Sequence, residues 1–236
     1  MLGLNTSYFL NGKYVLSNFI DMPFWIWDSC VHRKQYAKEN GFCCFNHAIS
    51  LPRKDSASYP LFRFRKIIFD ILEQNQNVWI KKARGIGLTT FMLRYLTWKI
   101  LFSSELDYKS IFIISWNDDK SGDKTHVILK KLFEKRFHLL KLESKFTDLW
   151  LKNTRIKFLT PNDIIDFAPF DMAYLFVDDA NYLHLSEQIK LEKEISSNLA
   201  RSNCRTIMIS TPNPHGRLFE KIENDTNSKY AKLHLD

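Results

Sequence analysis

Residues Val78-Trp79-Ile80-Lys81-Lys82-Ala83-Arg84-Gly85-Ile86-Gly87-Leu88-Thr89-Thr90 constrain the fold more than any other stretch. A short apolar run of β character enters a small loop with two glycines, and the loop ends on two threonines. Phe91 to Phe102 then reads as a helix that is hydrophobic on most of its surface, the signature of a buried helix. The amides at such a helix start point outward, unpaired, toward any anion placed there. Gly85 and Gly87 let the backbone turn and approach where a Cβ would clash.

Strand, glycine loop, hydroxyl and helix is the layout of a phosphate cradle, but the strict pattern G-x-x-x-x-G-K-[ST] fails twice over residues 82 to 89. Lys82 stands where the first glycine belongs, and Leu88 stands where the lysine belongs, while Gly87 and Thr89 fit. Two readings stay open. Either this is an ordinary strand-to-helix turn, or the cation enters from the strand side, through the flexible stem of Lys82.

With 236 residues, 45% of them hydrophobic, the chain can bury a large core as one domain or one domain with an appendage. No apolar run reaches the roughly 18 residues that cross a bilayer. Met1-Leu2-Gly3-Leu4-Asn5 lacks the basic start of a secretory signal. Four cysteines in this length do not make a disulfide framework, so a reducing, cytoplasmic setting is expected. The net charge of +8 suits a partner with a phosphate backbone, and equally a soluble protein that is merely basic.

Residues 1–58 are aromatic-rich and irregular and read as an N-terminal appendage; residues 59–236 read as the core domain. Cys30, His32, Cys43, Cys44 and His47 match no zinc-ligand spacing well, and the cysteines are expected to be small buried side chains under a helical appendage. A helix is predicted from about Tyr59, with Ile67, Ile68, Ile71 and Leu72 on its apolar face. Ser110–Trp116 reads as a strand covered on both faces. An amphipathic helix from about Lys120 to Phe137 follows, its apolar positions including Val127, Ile128, Leu132 and Phe133. Phe146–Leu151 and Arg155–Leu159 alternate about a short turn as a hairpin.

Met172–Val177 is an apolar strand that runs into Asp178-Asp179. Two carboxylates at the carboxyl end of a buried strand cost free energy unless a metal or water uses them. In an open α/β sheet, that end is where ligands sit. Asp178 is placed to hold Mg²⁺ and Asp179 to orient or deprotonate an attacking water; a cap on the turn after the strand is the plainer alternative. A helix from Ser186 to about Leu199 and a strand Arg205–Ser210 precede Thr211-Pro212-Asn213, and Phe219 and Ile222 open a closing helix. Alternating strands and helices make the chain α/β with a mainly parallel sheet.

Three pieces now stand in order: Lys82-Ala83-Arg84-Gly85-Ile86-Gly87-Leu88-Thr89-Thr90, Leu175-Phe176-Val177-Asp178-Asp179-Ala180, and Ile209-Ser210-Thr211-Pro212-Asn213. Together they resemble the ATPase half of the large terminase subunit of tailed bacteriophages and related viruses. That family has a deviant loop K-x-R-x-x-G-x-[ST], a Walker B strand ending in D-E, and a coupling motif similar to S-T-P-N. The segment from Cys43 to Leu72 resembles the family's entry region, so the likeness runs from about residue 40 onward.

The resemblance implies a P-loop NTPase fold of the ASCE type, with ATP and Mg²⁺ as cofactors. It puts residues 82–90 around the phosphates, with Lys82 on the β- and γ-phosphates. Thr89 and Asp178 would hold the metal. Arg84 would stabilise the transferred phosphoryl group, or simply pair with Asp178 or Asp179. Ser210, Thr211 and Asn213 would sense the γ-phosphate and couple hydrolysis to DNA movement; Thr211 as a turn cap is the alternative. Double-stranded DNA, a homo-oligomeric ring, and a portal protein, small terminase subunit or separate nuclease would be the partners, in host-cell cytoplasm if the chain is viral.

Three departures stand out. Asp179 replaces the usual glutamate, withdrawing its carboxylate by about one methylene. Arg65 stands near where a glutamine often reads adenine. A full terminase continues into an RNase H-like nuclease domain, whereas this chain reaches Lys232-Leu233-His234-Leu235-Asp236 about where that domain would begin. DNA cleavage is therefore not expected of it. Rival expectations are a nucleotide- or DNA-binding module that does not turn over, and a helicase-like translocase, for whose second RecA-like domain the length leaves no room.

Overall fold

The computed structural model describes residues 7–10, 13–16, 63–116, 124–136, 142–145, 148–160, 163, 171–201, 203–213 and 217–235. The cysteine and histidine group at residues 30–47 lies outside these. The chain divides into two compact units, Met1–Phe62 with Lys131–Leu140, and Arg63–Lys130 with Lys141–Asp236. In the first unit, β1 (Ser7–Leu10) pairs antiparallel with β2 (Lys13–Leu16), Ser7 opposite Leu16.

The second unit is α/β. In chain order it runs α1 (Arg63–Gln74), β3 (Asn77–Lys82), α2 (Leu88–Phe102), β4 (Ser110–Ser115) and α3 (Lys124–Arg136), which ends in the first unit. Then come β5 (Leu142–Lys145), β6 (Asp148–Leu151), β7 (Thr154–Leu159), β8 (Met172–Asp178), α4 (Leu185–Arg201), β9 (Arg205–Ser210), α5 (Arg217–Asn224) and β10 (Ala231–Leu235). The sheet has eight strands in the order β10-β3-β9-β8-β4-β7-β6-β5. From β10 to β7 all neighbours are parallel; β7, β6 and β5 form an antiparallel meander at one edge. The predicted hairpin is the β6–β7 part of that meander. The β9 strand lies between the loop-bearing β3 and the carboxylate-bearing β8, the ASCE arrangement.

Apolar runs become central strands because both faces are covered. Every residue of β4 is buried, and in β8 only Ala173 is not. The α2 helix buries ten of its fifteen residues, including all of Arg94. Its tie to α1 is both polar and aromatic: Tyr95 Oη donates to Glu73 Oε1 at 2.6 Å and Lys99 Nζ to Glu73 Oε2 at 2.8 Å, while Phe69 meets the Tyr95 and Trp98 rings edge-on.

Three expectations change. Ile67 is 43% exposed, because the buried face of α1 is centred on Arg65, Ile68 and Leu72, one helical turn apart, and Ile67 falls to its side. On α3 the side chains described as buried are those of Thr125, His126 and Leu129, with Val127 and Ile128 only half covered; those of Leu132 and Phe133 lie outside the described residues. The closing segment, read only as the chain's end, is the edge strand β10, parallel to β3 with Leu235 opposite Lys82.

Candidate functional site

β3, β9 and β8 end side by side at their carboxyl edge, and there they deliver Lys82, Ser210 and Asp178. The loop between β3 and α2 turns on two left-handed glycines, Gly85 (φ 84°) and Gly87 (φ 71°), and Gly87 caps the N-terminus of α2. Leu88 is 1% exposed and belongs to the core, so no cation can reach phosphate from that position. The cationic side chain at this edge is that of Lys82, itself only 8% exposed. Ala83 donates its amide to the Leu235 carbonyl at 2.8 Å, which fixes where the loop leaves the sheet.

The predicted residues converge. Lys82 Nζ lies 3.3 Å from Asp179 Oδ1. Thr89 Oγ1 donates to Asp178 Oδ2 at 2.7 Å. Asp178 Oδ1 is buried with no hydrogen-bond partner among the described residues. Burial first, and the Asp179 charge second, push the Asp178 carboxyl up to about 7, against the pull of the Thr89 hydroxyl and Lys82. An orphaned, buried carboxylate oxygen beside a threonine hydroxyl fits a hard cation that takes further oxygens from phosphate and water. Among the described residues no group of three or more His, Cys, Asp or Glu could hold a metal by itself. Thr90 follows at half burial on the first turn of α2.

Asp179 has φ 52°, a conformation rare for residues other than glycine, and its carboxylate does not cap the short 3-10 turn Ala180–Tyr182 that follows. It faces Lys82 instead. Arg84 pairs with neither carboxylate; Nη2 donates to Tyr182 Oη at 3.5 Å. Arg65 sits on α1, and its Nη2 donates to the Ile86 carbonyl at 3.1 Å, bracing the glycine loop by its backbone.

The β9 loop is sewn to the turn after Asp179. Asn181 N–H donates to Ser210 Oγ at 3.1 Å, Asn181 Nδ2 to the Thr211 carbonyl at 3.3 Å, and Asn213 Nδ2 to the Asn181 carbonyl at 3.0 Å. Thr211 Oγ1 donates to Tyr182 Oη at 3.0 Å rather than capping its own turn. Asn181 and Tyr182 therefore belong to the site, and sequence reasoning passed over them. Their only signal was adjacency to the carboxylate pair. Cys204, the one cysteine among the described residues, is buried away from this chemistry, and burial pushes its thiol up to about 12.

This sheet order and carboxyl-edge constellation define a P-loop NTPase fold. Among solved structures, the HK97 bacteriophage large terminase matches with a TM-score of 0.66 at 13% identity, over 86% of this chain and 43% of its own. The ATPase domain of the Thermus phage P74-26 large terminase matches with a TM-score of 0.50 at 12% identity, over 70% of this chain and 79% of that one. A large terminase from a thermophilic bacteriophage, in complex with ATP-γ-S, also gives 0.50, at 11% identity over 69% of this chain and 40% of that one. The chain thus has the fold of large terminase ATPase domains, and it spans less than half the length of the HK97 protein. No protein-family model matches the sequence, and no curated protein does.

Proposed function

We propose that this chain is an ATP-hydrolysing motor domain of the terminase type, which couples Mg-ATP hydrolysis to movement of double-stranded DNA within a ring of subunits. The observation that carries this reading is the meeting of Lys82, Thr89, Asp178 and Asp179 at one sheet edge, with the β9 loop hydrogen-bonded to the turn behind them. The thermophilic phage terminase, which shares the fold, is seen in complex with ATP-γ-S.

In this mechanism Lys82 exchanges Asp179 for the β- and γ-phosphates, where its charge is better matched. The exchange frees Asp179 to accept a hydrogen bond from the attacking water and orient it. Thr89 and Asp178 would hold a magnesium ion, which would neutralise charge building on the phosphate oxygens. Arg84, exposed at the loop's rim, reaches the transferred phosphoryl group. Ser210, Thr211 and Asn213 respond to loss of the γ-phosphate through their bonds to the Ala180–Tyr182 turn. Portal protein, a small terminase subunit and a separate nuclease are the natural partners of such a motor.

Phosphate release from ATP, with and without double-stranded DNA, tests the reading. Lys82→Ala should lower turnover by about 100-fold or more, and equal turnover in both proteins would remove Lys82 from this role. A second reading, a nucleotide-binding module without turnover, is favoured by one observation: the short Asp179 side chain is already held by Lys82. Tight binding of ATP with no phosphate released, unchanged by Asp179→Glu, would favour it.

A further inference from the structure

Tyr182 is where three parts of the site meet. Its backbone amide donates to the Asp179 carbonyl at 2.9 Å, which fixes it to the carboxylate turn. Its ring lies 5.2 Å from that of Trp116, tilted by 36°, so the phenol has little freedom to swing. Its hydroxyl accepts from Arg84 of the phosphate loop at 3.5 Å and from Thr211 of the β9 loop at 3.0 Å. A phenol oxygen has two lone pairs, and these two contacts use both.

The two bonds are unequal in a way that matters. The Arg84 contact is at the outer limit of hydrogen bonding and is exposed, so a phosphate oxygen easily displaces it. The Thr211 contact, at 3.0 Å, is the shorter of the two and is half-buried, and it survives. We propose that Tyr182 is a positioning residue that relays the state of Arg84 to Thr211. When Arg84 leaves for a phosphate, the phenol oxygen loses one of its two donors and its bond to Thr211 readjusts. Nucleotide occupancy at the loop is thereby read at the β9 loop, 29 residues along the chain from the tyrosine. This rests on the reading of the site as a nucleotide site.

The test is a double-mutant cycle on binding of Mg-ATP-γ-S, with Arg84→Ala and Thr211→Ala made in wild-type and in Tyr182→Phe backgrounds. Phenylalanine keeps the ring against Trp116 and removes only the hydroxyl. In the wild-type background the two substitutions should be non-multiplicative in affinity by about fivefold, the lower range of coupling between sites. In the Phe background they should multiply independently. Thermal midpoints of all variants identify any that fail to fold, and Tyr182→Leu, which likewise carries no hydrogen-bonding atom, replaces Tyr182→Phe in that event. Coupling that persists without the hydroxyl, or no coupling in either background, overturns the relay while leaving the nucleotide site standing. Absence of Mg-ATP-γ-S binding by the wild type overturns the nucleotide site itself, and the relay with it.

Discussion

Asp178 carries the largest electrostatic cost in the site. Its carboxyl holds a proton up to about 7 in the fold, against an ordinary value of 3.8. Between those values the folded chain binds the proton and the unfolded chain does not, so stability from this group is full below the lower value and is lost as pH rises through the upper one. In EDTA and without nucleotide, urea midpoints should therefore fall between about pH 4 and about pH 7, and Asp178→Asn should flatten that part of the fall. An unchanged slope in the variant would mean that other groups carry it. The same carboxyl explains why Asp178 was legible in the sequence: acid after a buried apolar run has few reasons to exist. Asn181 and Tyr182 were not legible, because amides and phenols after a strand are ordinary turn residues and only the fold brings β9 against them.

Among the elements, the glycine loop is the one whose turns depend most on left-handed backbone conformation. Gly85 has φ 84°, and a Cβ built there would meet nothing within 4 Å. Any penalty for Gly85→Ala is thus conformational, about 1 kcal/mol lost from unfolding free energy, with Gly85→Asn losing less. Chemical denaturation of the three proteins decides this, and equal stabilities would show that the loop is free to reshape. The sequence announced the loop, β4, β8 and β9 plainly, since each strand is an apolar run between polar breaks. It hid β10. Ala231-Lys232-Leu233-His234-Leu235 alternates with charge because it is an edge strand that is nowhere fully buried. It showed the face of α1 only in part, since Ile68 and Leu72 are buried but Ile67 is exposed, and it passed over Arg65 and, on α3, Thr125, polar residues that are also buried.

At the scale of the whole molecule, no helix among the described residues is long and apolar enough to cross a membrane, and the net charge is +8. On the proposed motor reading, a chain of this charge should bind duplex of any sequence, with affinity falling at least about tenfold between roughly 50 and 200 mM salt. Fluorescence anisotropy with unrelated duplexes checks this, and salt-independent binding would argue against a backbone-directed grip. The sheet order adds a mechanical consequence. Through the Ala83–Leu235 bond, the outermost strand abuts the residue next to Lys82 with no slack between them. Tension on β10 along its axis is thus delivered to Lys82 within a single peptide's length, a pull-cord fastened beside the Lys82–Asp179 pair.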